Sequence, residues 1–273
     1  MRTAKFFQTC EITEISDCDN VIFGSDEIWN VSRKQIRKYP VFWGKGISVE
    51  DKASYAVSIN NAAEEDFYKC AAIEEELNKF KVISVRDGHS KAVLEKVLKR
   101  EDICTVLDPT MLHTKEFYHK LMQPVELDKY ILIYSYGNYI SDNMKAAIKK
   151  YASEKSLRTV SVLEYADWCD YSLVVDPFEL LWLFENAEAV FTDTFHGTVF
   201  SVIFEKQFKV ISESSRKVKE FLELFGVEES VSVTDCDLDK AMENTVQYEM
   251  ITAILNKERE KSWQVLRHIL QDE

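Results

Sequence analysis

Residues 190–204 read VFTDTFHGTVFSVIF. The apolar run Ala189–Phe191 breaks into Thr192-Asp193-Thr194, and His196-Gly197-Thr198 then opens a second apolar run at helical spacing. That is the pattern of a buried strand, a polar turn and a helix start. An imidazole titrates near neutrality, so His196 can pass a proton or stand charged beside an anion. The first turn of a helix carries unpaired N–H groups and partial positive charge, which attract phosphate or carboxylate. Gly197 brings no side chain to keep a ligand off the backbone. The hydroxyls of Thr194 and Thr198 can hydrogen-bond an anion or serve the helix start. The same residues also read as a capped helix, with Asp193 as cap and a histidine that bonds only locally.

Other residues could complete a site. Asp26, in GSDEIWN at 24–30, can take a proton from a hydroxyl or orient it; Ser25 and Asp26 can equally cap a short helix. Arg86, in VRD at 85–87, can hold a carboxylate or phosphate through two parallel hydrogen bonds, or pair with Asp87 or a helix carboxylate. Arg216, near a helix start, is a third cation or a solvated surface residue. Trp29 and Trp43 can stack on a sugar ring or fill the core. Asp108 precedes Pro109, which sharpens the turn, and reads as structural. His89, His113 and His119 are isolated and form no spaced ligand set, so no metal site is expected. There is no GxGxxG and no P-loop, so neither a dinucleotide nor ATP is expected, and no cofactor is called for.

The elements that must position these residues follow from periodicity. Strands are expected at Val21–Phe23, Ala53–Ile59, Val82–Val85 and Cys104–Leu107, with helices at Glu64–Lys79 and Ser90–Lys99. After Pro124 the pattern restarts. It gives strands at Tyr130–Tyr134, Arg158–Val162, Ala189–Phe191 and Phe208–Ile211, a turn at Gly137-Asn138, and an irregular loop at Glu164–Ser172. Helices fall at Asp142–Ser153, Phe178–Asn186, after His196, and at Val218–Phe225, and a last one runs from about Tyr248 to Leu270. Strands alternating with helices imply parallel sheets covered on both faces. The simplest account is α/β, with two Rossmann-like domains facing across a cleft: residues 1–125, residues 126–247, and a C-terminal helix at 248–273. In such sheets ligands bind beyond the C-terminal ends of strands. GSDEIWN, VRD, LDPT and FTDTFHG all fall at such ends.

Composition narrows the partners. The chain of 273 residues is 46% apolar and 30% charged, which suits a globular protein. Its formal charge of -13 argues against nucleic acid or an anionic membrane as a general partner. An anionic ligand must then be held by local cations or helix N-termini. No stretch approaches the roughly 20 apolar residues of a membrane span, and no signal peptide is apparent. The six cysteines form no CxxC pair and read as ordinary thiols, so a cytoplasmic location is expected.

Taken in order, FGSDEIWN at 23–30, ISVRD at 83–87, VLDPTML at 106–112 and FTDTFHGTVFSVIF at 191–204 resemble the polysaccharide pyruvyl transferase family. SSRKVKEFLELFGV at 214–227 is a weaker match. The resemblance implies two Rossmann-like domains similar to the GT-B glycosyltransferases, with acceptor on the N-terminal side and donor on the C-terminal side. It implies transfer of the enolpyruvyl-derived group of phosphoenolpyruvate to a saccharide, free or lipid-linked, as a pyruvate ketal in surface-polysaccharide synthesis. His196 would then be the central acid–base residue and Asp26 the hydroxyl-activating carboxylate. Arg86, Ser25, Thr194, Gly197, Thr198 and Arg216 would bind substrate. Two departures stand out. Only 22 residues precede Phe23 and none supplies a GNxGA-type turn, so the N-terminal domain is expected to be incomplete. Thr194 stands where some relatives carry Arg. A GT-B-like sugar-nucleotide glycosyltransferase is an alternative reading. A non-catalytic relative that binds saccharide or a partner chain is another, with a second copy able to cover a truncated sheet edge.

Overall fold

The computed structural model describes residues 18–70, 72–136, 140–211, 216–228 and 238–270, without the side chain of Asp239. The expected turn at Gly137-Asn138, the first 17 residues and Ser214-Ser215 lie outside these. Two compact units emerge: residues 1–112 with 258–273, and residues 113–257. The sequence pattern restarts at the strand beginning at Tyr130. Residues 113–125, with the short helix Lys115–His119, group with the second unit.

The first unit holds β1 (Asn20–Asp26), α1 (Lys34–Arg37), β2 (Asp51–Val57), α2 (Glu64–Tyr68), α3 (Ile73–Leu77), β3 (Val82–Val85), α4 (Gly88–Leu98) and β4 (Cys104–Thr105). Its sheet runs β1-β2-β3-β4, with every neighbouring pair parallel. The single helix expected over Glu64–Lys79 is instead two, because Ala72 takes φ 68 between them. A left-handed residue ends the i to i−4 ladder. One face of the sheet packs Phe23, Val57, Ile83 and Val85 against Trp29, Phe67, Leu77, Phe80 and Leu94. Strand β2 carries a register shift between Ser54 and Val57, where Ala56 sits at φ 55. The bulge breaks the strict alternation, so Tyr55 and Ala56 both join a second cluster on Trp263, Leu266 and Ile269.

The second unit holds α5 (Lys115–His119), β5 (Tyr130–Tyr134), α6 (Asp142–Glu154), β6 (Arg158–Val162), β7 (Tyr171–Ser172), α7 (Pro177–Asn186), β8 (Ala189–Thr192), α8 (Phe195–Ile203), β9 (Phe208–Val210), α9 (Arg216–Phe225) and α10 (Leu238–Glu243). Its five strands run β7-β6-β5-β8-β9, all parallel. The chain therefore works outward from β5 in one direction, then returns to start β8 on its other side. That reversal between β5 and β8 is a topological switch point, where open α/β sheets bind ligands.

Helix α11 (Tyr248–Leu270) closes the chain. From Glu258 onward it belongs to the first unit. There Ser262 Oγ accepts the Leu107 amide at 2.9 Å, Arg259 Nε donates to the Met111 carbonyl at 2.8 Å and Trp263 Nε1 to that of Leu112 at 3.1 Å. These bonds satisfy backbone groups beyond the end of β4, which buried backbone requires.

Gly24 in β1 lies over the Tyr55 carbonyl, where a Cβ would stand 2.3 Å from the oxygen. Backbone in a paired strand has little room to give. Gly24→Ala is therefore expected to lower stability by about 2–3 kcal/mol, at the upper end of overpacking costs. Denaturant unfolding checks this, and a midpoint equal to the native chain's would refute the close-approach account.

Candidate functional site

In the first unit three strand ends bring charges together. Asp26, the last residue of β1, sits at φ 67 with its side chain 64% exposed. Aspartate tolerates that left-handed geometry better than most residues. Arg86, just past β3, donates from Nη2 to Asp26 Oδ1 at 3.2 Å and from Nη1 to Asp108 Oδ2 at 2.7 Å. Arg86 and Asp108 side chains are each only 3% exposed. Asp108 is fixed in turn by the amide and hydroxyl of Thr110, at 3.0 and 2.7 Å on Oδ1. From the sequence, Asp87 or a helix carboxylate is the alternative partner to a ligand for Arg86. The structure gives Asp87 to the start of α4, where Oδ1 accepts the Ser90 amide and Oδ2 the Ser58 hydroxyl, both at 2.7 Å. Both terminal nitrogens of Arg86 meet carboxylates, so the guanidinium helps to fix Asp26. Ser25 and Asp26 cap no helix, since both belong to β1. The sequence marked Asp108 as structural but did not show it as the anchor of Arg86.

In the second unit the β8–α8 turn is a dense local network. Thr194, not Asp193, is the N-cap: its Oγ1 accepts the Gly197 amide at 2.9 Å. Thr192 Oγ1 donates to the Tyr134 carbonyl at 2.7 Å and accepts the Thr194 amide at 3.0 Å. Thr198 Oγ1 donates to the Thr194 carbonyl at 2.9 Å. A Cβ on Gly197 would lie 2.0 Å from Thr192 Oγ1. Glycine is needed here for the helix to sit on the strand, and its amide already serves the cap. The hydroxyls of Thr194 and Thr198 likewise have local partners. His196 is half-buried in the first turn of α8, edge-on to Phe195, whose own ring meets Phe221 of α9 at 5.6 Å. Arg216 is exposed at the start of α9.

Asp193 reaches across the switch point. Its Oδ2 accepts the Ser135 hydroxyl at 2.8 Å and its Oδ1 the Tyr136 amide at 3.4 Å, just beyond β5. Ser135 was not singled out by sequence, since a serine after an apolar run is common. Trp29 and Trp43 lie in the core, 0% and 3% exposed, with Trp29 Nε1 donating to the Phe42 carbonyl at 2.7 Å. His89 meets the Ala62 carbonyl, His113 stacks on Phe117 and His119 pairs with Glu185. No group able to hold a metal occurs among the described residues, and no helix there is long and apolar enough to cross a membrane.

Burial pushes the Asp193 carboxyl above its usual range, against the lowering effect of Ser135 and the Tyr136 amide. Its folded value then exceeds its unfolded one. Its contribution to stability is full below the unfolded value and is lost as pH rises through the folded value. A carboxamide at this position would not titrate. Asp193→Asn is therefore expected to gain stability relative to the native chain as pH rises from about 4. Urea unfolding of both proteins across that range tests it, and a pH-independent difference would contradict the assignment.

With this geometry in place, comparison with known proteins defines the lineage. Solved structures share the fold at low identity. The chain is similar to a trehalose-6-phosphate synthase (8% identity, TM-score 0.55, covering 100% of this chain and 74% of that one). It is similar to a UDP-GlcNAc 2-epimerase from Methanocaldococcus jannaschii (13%, 0.53, 94% and 80%). It is also similar to a UDP-forming trehalose-phosphate synthase from Burkholderia xenovorans (9%, 0.51, 83% and 69%). These likenesses establish Rossmann-like α/β units of the GT-B type. No curated protein matches the chain. The model of one family, described as polysaccharide pyruvyl transferase, matches residues 2–215, which include Asp26, Arg86, Asp108 and the whole β8–α8 turn, and the chain belongs to that family.

Proposed function

We propose that the protein transfers the enolpyruvyl-derived group of phosphoenolpyruvate to a pair of hydroxyls on a saccharide, forming a pyruvate ketal. The observation that carries this reading is His196 in the first turn of α8, at the switch point of a sheet in a chain of this family. The chemistry has three demands. A proton must reach the methylene carbon so that C2 becomes electrophilic. One sugar hydroxyl must attack C2 while losing its proton. Phosphate must then leave, and a second hydroxyl closes the ketal.

His196 supplies an imidazole, which can donate or accept a proton, next to a helix N-terminus whose partial positive charge favours an anion. It is the acid–base residue of this reading and the recognition point for the donor. Asp26 is the exposed carboxylate that takes the hydroxyl proton. Arg86, buried and bound to two carboxylates, is a positioning residue that fixes Asp26. Ser25 and Arg216 are assigned to substrate contact, Ser25 beside Asp26 and Arg216 at the exposed start of α9. The acceptor is a saccharide, free or lipid-linked, for a surface polymer.

Replacing Arg86 is a poor probe, because it strands the buried Asp108 charge at a cost of about 3–5 kcal/mol. Calorimetric titration of phosphoenolpyruvate, with pyruvate and phosphate as controls, is the direct test. Saturable binding that prefers phosphoenolpyruvate is expected, weakened about tenfold or more in His196→Ala. Asp26→Asn should leave donor affinity unchanged and lower turnover by roughly 10²–10⁴. A folded protein that ignores phosphoenolpyruvate, or a His196→Ala variant of native affinity, overturns the reading.

A further inference from the structure

The ends of β5 and β6 and the loop after β6 line an open pocket of about 180 Å³, wholly within the second unit. Ser135, Lys145, Glu164, Tyr165, Asp167 and Trp168 line it. The loop is held in a defined shape. Leu163 opens it at φ 79, a conformation that bulky residues rarely take and that persists only where neighbours impose it. Ser172 of β7 is one such neighbour. Its Oγ accepts the Ala166 amide and donates to the Ala166 carbonyl, each at 3.0 Å, and lies 2.8 Å from Ser161 Oγ. Asp170 Oδ2 accepts both the amide and the hydroxyl of Thr159 at 2.8 Å. On this fixed loop Trp168 packs inward against the cluster of Ile133 and Ile140, while Tyr165 is left 82% exposed.

The lining selects a class of ligand. A cavity of roughly 150 Å³ holds one six-membered ring, so this pocket has room for a ring. Glu164 and Asp167 outnumber Lys145, whose Nζ already donates to Asp142 at 2.9 Å. The local charge is negative, which disfavours the phosphate and carboxylate of a donor. Carboxylates accept hydrogen bonds from hydroxyls, and aromatic rings pack on the apolar C–H face of a sugar. Ser135 belongs both to this wall and to the Asp193 contact, so the pocket adjoins the β8–α8 turn.

We propose that this pocket is a subsite for one neutral pyranose ring of the saccharide substrate, gripped by Tyr165 and Trp168 and hydrogen-bonded by Glu164 and Asp167. The proposal rests on the reading that the second substrate is a saccharide. The test titrates the full chain with methyl glycosides of glucose, galactose, mannose and N-acetylglucosamine, read by saturation-transfer NMR, with uridine as a nucleobase control. At least one glycoside is expected to bind. Tyr165→Ala and Asp167→Asn, both on exposed side chains, should each weaken it about tenfold or more and leave phosphoenolpyruvate affinity unchanged. Native affinity in both variants, no glycoside binding, or uridine displacing the glycoside would overturn the subsite. Phosphoenolpyruvate is titrated on the same samples. Its binding without any glycoside binding sinks the subsite alone, whereas variant-sensitive glycoside binding without it keeps the subsite and sinks the pyruvyl-transfer reading.

Discussion

Helix α8 can begin where it does only because Gly197 rests on the Thr192 hydroxyl. That one oxygen donates to the last carbonyl of β5, accepts the Thr194 amide and touches the face of Gly197 that any side chain would occupy. The contact ties together the two strands at the switch point and the helix that leaves it. Everything assigned to His196 depends on it, since the histidine's position is set by the first turn of α8. Thr192 is fully buried and its hydrogen bonds are internal. The tightness of the turn thus comes from packing and hydrogen bonding among neutral groups.

The first unit solves its positioning problem differently. There the strand ends are joined through charge, with Asp108 holding Arg86 and Arg86 holding Asp26. A buried ion pair repays its desolvation only when geometry and hydrogen bonding are good. Thr110 supplies that support with two bonds to Asp108. The bulge at Ala56 contributes as well. It ends β2 with the Val57 carbonyl accepting the Arg86 amide at 3.0 Å, and the next amide, of Ser58, donates to the Asp26 carbonyl at 2.8 Å. Backbone and side chain therefore fix Asp26 and Arg86 together, in a geometry where two residues take positive φ.

Much of this was legible in the chain because strands here are short apolar runs that end abruptly in polar residues. Val82–Val85, Tyr130–Tyr134 and Arg158–Val162 begin and end where the pattern places them. The motif positions at strand ends also followed, since strand ends and polar turns coincide. What stayed hidden has a common cause. Asp193 and Thr194 are both good caps, and only the φ/ψ path of the turn chooses between them. Arg86 had several candidate carboxylates, and tertiary placement selected Asp108, 22 residues away. Ala72 and Ala56 carry no signal for positive φ, so the broken helix and the bulge were invisible. Strand β7 has two residues, too few for any period. The lining loop 163–168 read as irregular because its order comes from Ser172 and Ser161, which are hydrogen-bonding partners rather than a pattern.

The distribution of charge ties these local solutions to function. A chain of net charge -13 would have to concentrate positive potential locally to hold the anionic donor proposed above. Arg86 is committed to two carboxylates, and Lys209 is buried against the Asn244 carbonyl with its ammonium pushed down to about 8 by desolvation. At the switch point the α8 N-terminus contributes partial positive charge beside His196. Asp193 stands beside them, and its charge would oppose an anion there. Burial disfavours that charge, raising its carboxyl above the ordinary range. The same desolvation that costs the fold stability at higher pH would thus lessen repulsion toward the anionic donor proposed for this turn.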